Sequence, residues 1–166
     1  MLSQVKLGQY RQLIDIARSA APFAYRPYSD YPVGAAVLTF DGRFYPGCNV
    51  ENAALSQTVH AEEVAVCTAI ADGALERALG RDLTKDGFIE ALAIFQVKNP
   101  TDPWPCLQCR QFLTDFGLGI RIVGFAGPDR KRIIYKTLAT LAPHSFGTKK
   151  VLGNGKRVVA PHGMAR

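Results

Sequence analysis

VGAAVLTFDGRFYPGCNV, residues 33–50, places two strand-forming runs on either side of Asp41 and Gly42. An Asp-Gly pair accepts the positive φ of a tight turn, so the stretch reads as a β-hairpin, VGAAVLTF running out and RFYPGCNV returning. Gly34, Ala35 and Ala36 carry little or no side chain, which lets a neighbouring element approach the first strand closely.

Upstream, MLSQVKLGQYRQLIDIARSA sets Leu13, Ile16 and Ala17 on one side of an amphipathic helix. It lacks the apolar block and cleavage pattern of a secretory signal. APFAYRPYSDYP then breaks helical periodicity with Pro22, Pro27 and Pro32. Downstream, residues 58–71 read as a helix, with Thr58 as a candidate cap and Asp72-Gly73 as its end. ALERALGRDLTKDGF is a mixed connector with room for one short helix. EALAIFQV reads as a buried strand, the turn-rich NPTDPWP leads into a helix from Cys106 to about Phe116, and IRIVGFAG is a further strand. RKRIIYKTL contains a last strand or edge segment. Helix, hairpin, helix, strand, helix, strand is the order of an α/β domain, a central mixed sheet flanked by helices.

At 166 residues the chain fits one domain, assigned to residues 1–147, followed by a tail at 148–166. Nearly half of the residues are hydrophobic and a fifth charged, a composition that folds rather than one that stays disordered. No apolar run approaches the ~18 residues of a membrane span. The formal charge of +6 is concentrated in TKKVLGNGKRVVAPHGMAR, which holds five Lys or Arg and no acid. The body is therefore near neutral and offers no basic stripe for a nucleic acid, although such a tail can touch phosphates. Four cysteines without an export signal fit free thiols in a reducing, cytoplasmic setting.

Two short stretches carry the chemistry. In WPCLQCRQ, Cys106 and Cys109 stand three apart at a helix start, where both sulfurs can turn toward one point. In QTVHAEE, His60 offers a third ligand from another helix start. A His, Cys, Cys set is the pattern with which zinc keeps its fourth position open, and it favours one zinc ion per chain over a redox pair or plain core cysteines. Glu62, two residues on, would diverge from His60 by roughly 200 degrees on a regular helix. At a helix start that projection is relaxed, so the carboxylate can serve as the proton shuttle beside the metal. An exposed helix-start acid is the plainer reading of Glu62 when the ligands are ignored.

His60-Ala61-Glu62 followed by Pro105-Cys106-Leu107-Gln108-Cys109 resembles the zinc-dependent cytidine deaminase family. The likeness extends to PYSDYPVGAA at 27–36, GCNVENAA at 47–54, TVHAEE at 58–63, PCLQCRQ at 105–111 and LAPHSFG at 141–147, stretches similar to the free-nucleoside members. It covers roughly residues 10–147. It implies a three-layer α/β/α fold around a mixed five-stranded sheet. It also implies hydrolytic deamination of cytidine and 2'-deoxycytidine to uridine and 2'-deoxyuridine. By matched position it gives Asn49 and Glu51 to the sugar, Tyr31 to the base pocket, the Ala61 backbone to the pyrimidine edge and Glu62 to proton transfer. His60, Cys106 and Cys109 would then hold Zn2+. Gln111 is assigned to support of the site or to an oligomer contact, while His144 and His162 read as local polar residues.

The chain departs from the small one-domain members at His60, where they commonly have cysteine, and at Glu63, where they have arginine. A zinc ion with one imidazole and two thiolates is already formally neutral, so position 63 has less need of a cation. TVHAE resembles the larger two-domain branch, for whose second domain there is no room. Leu55 replaces a common tyrosine, and NPTDPWPC is a longer approach. Both bear on substrate choice, which leaves 5-methylcytidine or blasticidin S as alternatives. The family implies a homo-oligomer, dimer or tetramer, that completes its pockets. A polynucleotide deaminase, suggested by Trp104 and the tail, and a nonenzymatic zinc-stabilised module are the other readings.

Overall fold

The computed structural model describes residues 3–78, 87–100, 102–126 and 132–146. The basic tail at 148–166, with His162, and the second half of the connector lie outside the described residues. Helix α1 spans Gln4–Ala20, opened by the Ser3 side chain accepting from the backbone N–H of Lys6. Strands β1 (Val33–Thr39) and β2 (Phe44–Cys48) form the expected hairpin, and Gly42 takes φ +84° in its turn. Helix α2 (Ala61–Ala71) is followed by the single turn α3 (Ala74–Arg77) and by β3 (Ile89–Gln96). Then come α4 (Leu107–Leu113), β4 (Arg121–Ala126), β5 (Arg132–Thr137) and the short α5 (Leu138–Leu141).

The five strands lie in the order β2-β1-β3-β4-β5. β3 and β4 are parallel, joined through α4, and the other pairs are antiparallel, which makes the sheet mixed. The period of two in β1 divides the core. Ala36 and Leu38 meet Tyr10, Leu13, Ile14 and Ala17 of α1 on one face, while Ala35 and Val37 meet Ala61, Ala65 and Ala69 of α2 on the other. These are the three layers. Among the described residues, no helix is long and apolar enough to cross a membrane.

Two glycines set how tightly the layers close. A Cβ on Gly34 would lie 2.0 Å from the Ala17 carbonyl oxygen, and one on Gly47 would lie 2.4 Å from the Ala65 nitrogen. The close approach expected at Gly34 is therefore present, and α2 presses its backbone onto β2 in the same way. The α2 stripe that does this is Ala61, Ala65 and Ala69, all fully buried, whereas Val59 lies outside the helix and Ile70 is half-buried.

Helix α2 starts later than position 58. Val59 exchanges two backbone hydrogen bonds of 2.9 Å with Val50, and the Thr58 hydroxyl accepts from the Asn52 N–H at 3.4 Å. This pairing holds the chain extended through His60, which caps the helix with ψ 155°. Helix α4 likewise starts after Cys106, and residues Thr114–Phe116 tighten into a 3-10 turn.

Candidate active site

His60 and Cys106 occupy the same position on two helices, each the extended residue just before the first turn. Their side chains are therefore free of helical projection, and they meet. His60 Nδ1 lies 3.4 Å from Cys106 Sγ and 3.2 Å from Cys109 Sγ. The three ligand atoms all fall within 4.8 Å of one another, with His60 half-buried, Cys106 exposed and Cys109 buried. Tetrahedral zinc with bonds of ~2.0–2.3 Å calls for ligand atoms about 3.5 Å apart, so the donor set fits that ion. Burial pushes the Cys109 thiol up, reinforced by the charges of Glu62 and Cys106. A buried thiol of this kind becomes a thiolate when a cation compensates it, which is the chemistry of a metal ligand.

Glu62, at the second position of α2, is 5% exposed and lies beside Cys109. Burial raises its carboxyl above the usual carboxylate range, against the lowering effects of a backbone hydrogen bond and His60. The plainer reading of Glu62, an exposed acid at a helix start, does not hold. Glu63 is bonded elsewhere. One of its oxygens accepts from the His60 backbone N–H at 2.9 Å, and the other accepts from Gln108 Nε2 at 3.1 Å.

A cavity of about 410 Å³ opens over this group, lined by Tyr31, Asn49, Glu51, His60, Ala61, Glu62 and Cys106 among others. Every site residue expected from the sequence thus borders one space, except Cys109, which lies beneath it. Asn49 is buried, donating to the Tyr31 carbonyl at 3.1 Å and accepting from the Val33 N–H at 2.9 Å. Its amide has further donor and acceptor capacity for a ligand. Glu51 accepts from the Tyr28 and Ser29 N–H groups at 2.9 and 3.2 Å and from the Ser29 hydroxyl. The hydroxyl bond is the main influence holding its carboxyl below the usual range. Ala61 is the first residue of α2, where no earlier turn of the helix accepts its N–H.

Two contributors, Gln96 and Pro103, are not evident from the sequence. Gln96, the last residue of β3, accepts from the Tyr31 hydroxyl at 2.8 Å and donates to the Asp102 carbonyl at 2.8 Å, tying Tyr31 to the approach loop. A polar residue near the end of the apolar run EALAIFQV was the available signal. Trp104 also lines the cavity, with Lys136 Nζ 5.0 Å from its ring centroid. Pro103 seats that loop on β4, where a Cβ on Gly124 would lie 2.1 Å from it. Gln111 lies outside the cavity and donates to Thr114 at 3.3 Å and to the Phe146 carbonyl, pinning α4 to the segment that follows α5. A larger space of about 810 Å³ between α1 and β2 is mainly apolar and holds none of this chemistry.

Fold and site together define a class, an α/β enzyme with a metal centre and a buried carboxylate beside it. The chain belongs to the family of the cytidine and deoxycytidylate deaminase zinc-binding region, whose model matches residues 8–125. A cytidine deaminase of Sporosarcina psychrophila is 39% identical over 136 residues, 81% of this chain and 89% of that one. One from Mycobacterium tuberculosis is 36% identical over 131 residues, 79% of this chain and 84% of that one. The crystal structure of cytidine deaminase from Burkholderia pseudomallei superposes with a TM-score of 0.66 at 30% identity, covering 82% of this chain and 98% of that one.

Proposed function

We propose that this protein hydrolyses cytidine and 2'-deoxycytidine to uridine and 2'-deoxyuridine, releasing ammonia. The observation that carries the reading is one cavity bordered by the ligands His60 and Cys106, by Glu62 and by Asn49 and Glu51, with Cys109 completing the ligand group. Zinc held by His60, Cys106 and Cys109 supplies, when bound, the Lewis acidity that brings the pKa of water toward about 7.

The remaining work falls to the chain. Glu62 takes a proton from the attacking water and delivers it to N3 of the base as the oxygen adds to C4. It then carries the second proton to the amine, and the C4–N4 bond breaks to release ammonia. Burial, which raises the Glu62 carboxyl, favours its taking up a proton and returning it. Asn49 and Glu51 hold the sugar hydroxyls, a donor-acceptor amide beside an acceptor carboxylate, and so place C4 at the reacting end. Tyr31 packs along the base, fixed by its hydroxyl bond to Gln96. The Ala61 N–H reads the pyrimidine carbonyl.

The modified-nucleoside, polynucleotide and structural-module readings are not favoured. Purified, zinc-loaded protein is expected to release ammonia from cytidine and deoxycytidine in preference to 5-methylcytidine, blasticidin S, adenosine and short single strands. Failure on every cytosine nucleoside would remove the assignment.

Association of copies belongs to the same reading. Tyr25, Val50 and Val59 lie side by side through backbone bridges and are 58, 41 and 40% exposed, with Leu55 nearby in sequence at 69%. An apolar group of this kind beside Glu51 and Thr58 of the cavity is suited to cover by a second copy. The same reading places the protein in the cytoplasm, where cysteines stay reduced, and fractionation of host cells tests that location.

A further inference from the structure

We propose that Glu63 is a positioning residue, clamping the two halves of the ligand set at a fixed separation through Gln108; this rests on the zinc reading above. His60 comes from the start of α2, and Cys106 and Cys109 from the start of α4, 46 and 49 positions later in the chain. His60 stands on a segment paired with Val50 and Cys106 on a loop seated against β4 by Pro103, so neither helix by itself fixes the distance between the imidazole and the sulfurs. Glu63 addresses this with its two oxygens. One holds the backbone N–H of the ligand His60 at 2.9 Å, and the other holds the side-chain amide of Gln108, which lies between the two ligand cysteines, at 3.1 Å.

The bond to His60 is half of a capping box, in which a residue at the third helical position reaches back to the cap. A cap alone needs one oxygen. The second bond crosses to the other helix between the two ligand cysteines, so it acts on the geometry of the ligand set. Partners one shell out from a metal commonly govern its affinity about 10- to 100-fold.

The clamp and a merely structural cap separate by zinc affinity. Gln108→Leu cuts the crossing bond and leaves the cap, and Gln108 is exposed, so the melting temperature of the zinc-free protein should stay at the wild-type value. Its zinc dissociation constant, measured by competition with a chromogenic chelator, is expected to rise about tenfold. Glu63→Ala loses both bonds and should weaken zinc at least as much while also lowering the zinc-free melting temperature. Glu63→Gln keeps an oxygen for His60 and an amide that a rotated Gln108 can accept, so it should bind zinc as the wild type does.

Wild-type affinity in Gln108→Leu would overturn the clamp whatever Glu63→Ala shows, since a loss confined to Glu63→Ala belongs to the cap, and so would wild-type protein that takes up no zinc. Glu63→Gln as weak as Glu63→Ala would assign the effect to charge instead and overturn it equally. Zinc-loaded wild type that releases no ammonia would sink the deaminase reading, while the zinc affinities of the variants would still decide for or against the clamp.

Discussion

Glu62 and His60 are two residues apart, and on a regular helix they would point nearly opposite ways. They share a site because His60 is not in the helix. Its extended backbone, held by the Val50–Val59 pairing just upstream, turns the imidazole toward the cysteines, while Glu62 enters from the first turn. A proton shuttle at that position has a sharp consequence. Glu62→Gln preserves shape and burial but cannot carry a proton, so kcat should fall about 10²- to 10⁴-fold. Zinc content, read by metal analysis on the same sample, should be unchanged, and full turnover in that variant would remove Glu62 from the mechanism. His60 and Glu62, and likewise Cys106 and Cys109, could be singled out because each pair lies close in the chain. Gln96 could not, because its partners Tyr31 and Asp102 approach only when β3 is laid beside β1.

At the scale of elements, α2 is positioned by contact rather than by side-chain interlock. Its alanine stripe rests on Gly47, whose missing Cβ leaves room for the helix backbone. Gly47→Val should force α2 outward and displace His60 and Glu62 with it. A loss of stability of about 1–3 kcal/mol is expected from such overpacking, seen as a lowered denaturant midpoint together with weaker zinc binding. The far end of α2 is tied to the hairpin by Asp72, which meets the Tyr45 hydroxyl at 2.7 Å, Arg77 at 3.0 Å and Arg43 at 3.2 Å. The Tyr45 hydroxyl, more than the arginines, holds the Asp72 carboxyl below its ordinary value. A carboxyl lowered on folding adds stability that is fully present above the unfolded value of about 3.9 and disappears as pH falls through the folded value. Asp72→Asn should therefore melt below wild type at neutral pH, and the gap should close in acid below about pH 4. A gap independent of pH would assign the loss to hydrogen bonding alone.

For the molecule as a whole, the sheet brings the hairpin, α2 and the loop before α4 to one end, and the cavity forms there. The apolar group of Tyr25, Val50 and Val59 stands beside it. Sedimentation of the zinc-loaded protein should show a dimer or tetramer, and Val59→Glu should dissociate it and raise KM. A wild-type monomer with full activity would show that the cavity is complete in one chain. The hairpin and the order of elements were determined by the sequence alone, because turn chemistry and periodicity are local properties, and the ligand triad was legible from two short motifs whose residue types suit one ion. The start of α2 was not, since Thr58 is a good cap by residue type and only its pairing with the Val50 segment keeps it extended. Nor were the second bond of Glu63 or the seat of Pro103 on Gly124. Those depend on distances between segments far apart in the chain, and such distances exist only once the layers have closed around the sheet.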